Sequence, residues 1–266
     1  MVRSVRQDRH GGLEMTSANA GQEEKNVWKV VRVVPENHEV NSVYLEGTDG
    51  KLAARKAGQF ASIRLAGPEG WSEPHPFTIS AAPEDALLRF SIKKEGAFTS
   101  SIPGLMPGDS VKVAGPLGVF CRGIDEKPEI VMVAGGVGIT PFLSVLRHFR
   151  NGKAKNRVLL FWGNKTLSET FCLDEIRAMT RDLDLTVVHC LSREESVEGH
   201  FEAGTPRMLF EKGRISADIL KRHGVKPGAA FYLCGPPPMM DTALKELESL
   251  GVDPTAVEQE RFVWKK

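Results

Sequence analysis

The sequence predicts two folded units in series, a small antiparallel β-barrel followed by a doubly wound parallel α/β domain. Three observations carry this. Before about residue 124, short apolar runs alternate with polar residues at the period of a half-buried strand. After residue 128, strand-like runs alternate with helical ones, the pattern of a parallel sheet covered by helices. Two strand-to-helix junctions of that second half are built of glycine or proline, residues that let a chain turn sharply or stiffen a helix entry.

Residues 1–26 are polar and hold no aromatic residue. Arg3, Arg6 and Arg9 are not followed by an apolar stretch, which argues against a secretory signal. This segment reads as a mobile tail, with Met15 as a second candidate start. Residues 27–124 form the expected barrel. Runs 28–34, 39–45 and 59–65 are β-branched or mixed and end at Pro, Gly or Asn. Leu88, Phe90 and Ile92 alternate with Arg89, Ser91 and Lys93, and Val111 and Val113 flank Lys112 in the same way. These five runs and their closely spaced turns lead to the expectation of a small antiparallel barrel of six strands.

Residues 125–266 form the expected α/β domain. A strand at 130–134 leads through a glycine turn to a helix at 141–149, and a strand at 158–162 leads to helical residues around 167–179. A strand at 185–190 follows. The last strand, 229–234, precedes an amphipathic helix at 238–250 with Met239, Leu244 and Leu247 on its apolar face.

Composition bounds the function. The chain has 266 residues, 41% of them hydrophobic, and a formal net charge of +1, so no global field points to nucleic acid or an anionic membrane. Cys121, Cys172, Cys190 and Cys234 are scattered with no C-x-x-C pair, so no metal site and no iron–sulfur cluster is expected. The longest charge-free apolar run, 130–146, is short for a membrane span and holds Gly135, Gly136, Gly138 and Pro141, so no transmembrane segment is expected. A reducing, cytoplasmic setting is the simplest expectation.

Four motifs carry chemistry. In Gly135-Gly136-Val137-Gly138-Ile139-Thr140-Pro141, the glycines let the backbone approach a ligand, Thr140 suits an N-cap and Pro141 the first helical position. Free N–H groups at that helix start suit a pyrophosphate, although a tight connection with no ligand has the same form. Cys234-Gly235-Pro236-Pro237-Pro238 again joins a strand to a helix, at the sheet edge where such folds bind ligands. In His75-Pro76-Phe77-Thr78-Ile79-Ser80, Pro74 and Pro76 hold His75 in an extended edge position, and Thr78 offers a hydroxyl that donates or accepts. Gly96-Ala97-Phe98-Thr99 opens a short helix, so Gly96 and Thr99 would face phosphate oxygens, or merely cap an ordinary helix.

In this order the motifs resemble the ferredoxin–NADP reductase superfamily over nearly the whole chain from about Trp28. The resemblance implies an N-terminal FAD-binding Greek-key barrel and an NAD(P)-binding α/β domain, with nicotinamide and isoalloxazine meeting between them. It implies that Phe77 packs on the isoalloxazine with Thr78 near N5, and that His75, Pro76, Gly96, Phe98 and Thr99 serve the FAD. Gly135, Gly136, Gly138, Thr140 and Pro141 would line the NAD(P) pyrophosphate turn, and Cys234, Gly235 and Pro236 would lie by the nicotinamide. Glu260 and Phe262 sit in a closing segment that covers the flavin, where Glu260 would assist proton exchange; Thr78, Cys234 and Glu260 are the candidate catalytic residues. Ser192-Arg193 resembles the family's contact to the NADP 2′-phosphate, with Lys165 and Arg214 adding charge, and tips the choice slightly to NADPH over NADH.

Most members carry arginine where His75 stands, and the H-P-F-T form is similar to the ferric reductase and NADPH oxidase branch. That branch adds a haem-bearing membrane domain, so a haem partner here would be a separate polypeptide. The implied function is hydride transfer between NAD(P)H and FAD, with electrons passing to or from a ferredoxin- or flavodoxin-like protein or a ferric or haem acceptor. The rivals are a non-catalytic flavin-binding subunit or redox sensor, and a soluble ferric or free-flavin reductase. A subunit of the kind that serves dihydroorotate dehydrogenase would bring a C-terminal cysteine cluster, which this chain lacks.

Overall fold

The computed structural model describes residues 26–200, 205 and 207–262; residues 1–25 of the expected tail lie outside the described residues. The first sheet holds β1 (Val27–Pro35), β2 (Val40–Glu46), β3 (Phe60–Gly67), β4 (Gly70–Trp71), β5 (His75–Thr78), β6 (Leu88–Lys93) and β7 (Ser110–Leu117). Short helices α1 (Gly50–Ala53) and α2 (Ala97–Ser101) lie between strands. The strand order is β4-β3-β7-β1-β2-β6, with β5 also on β3, and all pairs are antiparallel. Just past β5, the Ser80 N–H donates to the Arg89 carbonyl of β6 at 2.8 Å and closes the sheet on itself. The strand beyond the expected six is β4, whose two residues are too few to show a period.

Inside the barrel Val30, Val43, Leu45, Ile63, Phe90 and Val113 are buried in one core. The alternation in β6 predicts a half-buried strand, yet Arg89 and Ser91 are buried as well. Their polar side is covered by the second unit, so β6 lies in the interior of the molecule.

That second unit runs β8 (Glu129–Gly135), α3 (Thr140–Gly152), β9 (Arg157–Asn164), α4 (Leu173–Asp182), β10 (Leu185–Leu191), β11 (Met208–Lys212), α5 (Ala217–Arg222), β12 (Ala230–Gly235), α6 (Pro237–Ser249) and β13 (Val257–Arg261). Its six strands are parallel in the order β11-β10-β9-β8-β12-β13. Successive strands leave β8 toward β9 and then return beside it as β12, so the order reverses there and a crevice opens at the carboxyl ends of both.

Several sequence expectations are corrected. Helical residues 167–179 divide into a 3₁₀ turn at Leu167–Glu169 and helix α4, because Cys172 takes a left-handed φ of 54° before Leu173. Thr140 is not an N-cap: the glycine turn is itself 3₁₀ (Gly136–Ile139) and runs straight into α3, so Thr140 is already helical and its hydroxyl donates to the Val137 carbonyl at 3.0 Å. The buried face of α6 centres on Met240, Ala243 and Leu247, with Met239 and Leu244 at its margin. Strands β11 and β13 and helix α5 were not anticipated. Of β13 only Val257 is buried, so it carries no apolar period, and α5 is six residues long.

The two units share a core, in which Val40, Ala57 and Phe120 pack into one cluster with Phe142 and Leu146 of α3. A buried ion network crosses the same junction. Arg89 of β6 meets Glu175 of α4 at 2.6 Å, Arg147 of α3 meets the same carboxylate at 2.5 Å, and Arg147 also meets Asp85 at 2.7 Å. Arg89 further donates to the Ser80 carbonyl at 2.9 Å and Oγ at 3.1 Å, and the Ser144 hydroxyl of α3 donates to the Ala81 carbonyl at 2.7 Å. Burial alone would raise the Glu175 carboxyl, but the two guanidinium groups outweigh it and hold it below its ordinary value.

Removing one partner leaves a buried charge uncompensated, so Glu175→Ala is expected to lower unfolding free energy by about 3–5 kcal/mol in denaturant melts at neutral pH. The Glu175 carboxyl is depressed on folding, so its contribution is present above its unfolded value near 4.5 and fades as pH falls through the folded value. The stability gap between wild type and Glu175→Gln should therefore narrow below pH 4.5.

Candidate functional site

Segments far apart in sequence line one cavity of about 760 Å³: residues 74–78, 95–99 and 260–262, together with Phe60. Strand β5 supplies the first wall. It is bonded to β3 on one side, and Pro74 and Pro76 have no N–H to donate elsewhere. The His75 ring stacks on Phe98 at 3.8 Å between centroids and 22° between planes, and Phe77 lies 5.9 Å from Phe98 at 14°. The two motifs that the sequence presents separately thus form a single aromatic wall. Thr78 is buried at its end, and its hydroxyl makes no hydrogen bond to another described residue.

The second wall is the turn into α2. Gly96 has φ +137°, a left-handed value that favours glycine, and nothing lies within 4 Å of where a Cβ would stand. Here the turn is open to a ligand. The Thr99 hydroxyl is engaged within the turn, accepting from Glu95 N–H at 2.7 Å and donating to the Gly96 carbonyl at 3.2 Å.

The closing segment is strand β13 at the edge of the parallel sheet, and its end brings Glu260 and Phe262 to the cavity. In the β12–β13 register Glu260 stands opposite Cys234. Glu260 Oε2 is buried without a partner, and burial pushes its carboxyl up to about 7. Cys234 is fully buried, and burial together with Glu260 and Cys121 raises its thiol well above its ordinary value, so it is held protonated.

The remaining predicted residues do not line the cavity; they gather at the carboxyl edge of the parallel sheet. Gly135, Gly136, Gly138, Thr140 and Pro141 follow β8, Cys234, Gly235 and Pro236 end β12, and Ser192 and Arg193 follow β10. The first two turns touch backbone to backbone, since a Cβ on Gly138 would run into the Cys234 carbonyl. Trp162 of β9 fixes the glycine turn from beneath, its indole N–H donating to the Gly136 carbonyl at 2.9 Å. Ser192 N–H donates to the Asn164 carbonyl at 3.0 Å and Arg193 N–H to the Lys165 carbonyl at 2.7 Å, leaving both side chains exposed. Lys165 is drawn to Glu169 at 3.2 Å. Phe60 and Trp162 escaped sequence reasoning because each lies in an apolar strand where an aromatic residue reads as core, and no spacing marks it.

The residues present fit a flavin dinucleotide. A cavity of this size with an aromatic wall, a free hydroxyl and an open glycine at a helix start has a surface for a planar ring system and room for phosphate oxygens.

Residues 132–245 match the family model of the oxidoreductase NAD-binding domain. The reductase component of propane 2-monooxygenase from Mycolicibacterium goodii is 29% identical over 239 residues, covering 88% of this chain and 66% of that protein. The chain spans 60–66% of the length of such relatives. The FAD/NAD-binding domain of a nitric oxide dioxygenase from Vibrio cholerae superposes with a TM-score of 0.75 at 23% identity, over 89% of this chain and 98% of that one. A ferredoxin–NADP+ reductase from Neisseria gonorrhoeae, solved with FAD and NADP, gives 0.72 at 18% identity, over 88% and 97%. These likenesses establish the fold. Among the described residues no helix is long and apolar enough to cross a membrane.

Because the Glu260 carboxyl is raised on folding, its ionisation opposes the fold: the cost is absent below about pH 4.5 and fully present above about pH 7. In the cofactor-free chain, Glu260→Gln should match wild-type stability at pH 4.5 and exceed it by on the order of 2 kcal/mol at pH 7.5. Thermal melts across that range check it.

Proposed function

We propose that the chain is a ferredoxin–NADP reductase-like oxidoreductase that transfers a hydride between NAD(P)H and FAD and passes electrons on to a partner protein, a reading supported by the match of residues 132–245 to the oxidoreductase NAD-binding domain and by the likeness to reductase components. The carrying observation is the single cavity in which the β5 motif, the α2 turn and the end of β13 meet, beside the crevice at β8 and β12. Bound FAD would supply the chemistry, taking two electrons with a hydride and releasing them singly. The protein's own residues position and protect. Phe77 and Phe98 offer the stacking wall, and Thr78 presents its hydroxyl at the inner end of that wall. Gly96 admits phosphate oxygens to the α2 turn. Glu260, raised to about 7, holds or yields a proton near neutrality at the cavity's edge.

On the nucleotide side, Gly136 and Gly138 shape the pyrophosphate turn, and Cys234 and Gly235 form the crevice floor where the nicotinamide would lie. The exposed Arg193 is placed for a 2′-phosphate, which supports NADPH. Relatives that are reductase components of propane 2-monooxygenase support an oxygenase component or similar one-electron acceptor as the partner.

Anaerobic stopped-flow mixing of the FAD-loaded chain with NADPH or NADH tests this reading. Bleaching of the flavin band by either nucleotide is expected; no bleaching by both, with FAD bound, would replace it with a flavin-binding sensor. In the same assay Thr78→Ala should slow flavin reduction about tenfold while changing nucleotide affinity less. Equal losses in both would remove Thr78 from the flavin. Arg193→Ala should raise the KM for NADPH about tenfold and leave that for NADH within twofold; parallel behaviour of the two would remove the 2′-phosphate assignment.

A further inference from the structure

The side-chain amide of Asn164, the last residue of β9, is buried with 7% of the residue exposed, and neither Oδ1 nor Nδ2 has a hydrogen-bond partner. Buried amides are nearly always bonded, so an amide with both ends idle is a ligand group in search of its ligand. Its location is set by topology. Strand β9 lies between β8, which leads to the glycine turn, and β10, which leads to Ser192-Arg193. Trp162 reaches the Gly136 carbonyl from one face of β9, and the two-residue period of a strand places Asn164 on the same face, about 6.6 Å further toward the carboxyl edge. A nucleotide stretched from the glycine turn to Arg193 must cross the end of β9.

We infer that Asn164 is a recognition residue for the adenosine-side ribose of the nicotinamide nucleotide, an inference that rests on the nucleotide reading above. The amide's chemistry selects the sugar. Phosphate oxygens only accept, and would satisfy Nδ2 while leaving Oδ1 idle. A ribose hydroxyl both donates and accepts, and so engages both ends. The turns leaving β9 and β10 are joined by Ser192 N–H to the Asn164 carbonyl at 3.0 Å, Arg193 N–H to the Lys165 carbonyl at 2.7 Å and Leu167 N–H to Glu194 Oε1 at 2.8 Å; only the last has a side chain as its acceptor, and that is the bond the nucleotide parts to reach the amide. Among the described residues the amide makes no hydrogen bond that would contribute to the fold, which leaves both ends available to a ligand. This differs from Arg193, which distinguishes NADPH from NADH; Asn164 serves both.

The test is a cycle of two ligands against two proteins. ADP and its 2′,3′-dideoxy form are titrated calorimetrically into the full-length FAD-loaded chain and into Asn164→Ala and Asn164→Leu, with thermal melts of each. Wild type should bind ADP about tenfold more tightly than the dideoxy form, both variants should bind the two alike, and the Tm of each variant should equal or exceed that of wild type. A wild type indifferent to the hydroxyls, or variants that keep the preference, would overturn the inference. So would a fall in the Tm of both variants, which would make the amide a structural group. A wild type that binds neither ADP nor NADPH and NADH would bring down the nucleotide reading itself, and this inference with it.

Discussion

The site depends on how two sheets are held against each other, and the Arg89–Glu175 pair is the centre of that junction. Arg89 leaves the polar side of a barrel strand, Glu175 projects from a helix of the parallel unit, and Arg147 and Asp85 extend the network on either side. A buried pair of this kind gives modest net stability but fixes geometry, because neither charge tolerates being left alone. The apolar contacts around it, Val40, Ala57 and Phe120 against the α3 side, are non-directional and would allow sliding. The ion network does not.

Fixing that junction sets the distance between the end of β13 and the walls from β5 and α2. Glu260 belongs to the parallel unit, yet it lines a cavity whose other walls are barrel residues. Its raised carboxyl follows from burial. Glu175 differs: both carboxyls are largely removed from water, but Glu175 faces two guanidinium groups and is held ionised, while burial raises Glu260 to about 7. The first carboxylate holds the units together; the second titrates near neutrality at the cavity.

Backbone proximity plays a matching role at the sheet edge. The turns after β8 and β12 can touch because Gly138 brings no side chain against the Cys234 carbonyl. Trp162 then ties the glycine turn to β9, so three adjacent strands are bound into one rigid platform at their carboxyl ends. The turns after β8 and β12 are thereby held in place by contacts within the protein itself.

The sequence by itself determined the barrel, the parallel sheet and their order, because strand and helix periods are local properties of the chain. It also marked the turns after β8 and β12, since glycine and proline betray a special backbone wherever they cluster. What it missed was local but weakly patterned: β4 is two residues long, α5 six, and β13 buries one residue, so none has enough period to register. The expected N-cap at Thr140 failed because a 3₁₀ turn ahead of it already closed the helix start. Only the tertiary structure decided which motifs share a cavity, that Arg89 is interior, and that the Asn164 amide and Glu260 Oε2 are buried with no partner among the described residues. Such facts depend on residues tens of positions apart, and hydrophobic periodicity carries no information about which charged or polar side chain will find a partner across a domain junction.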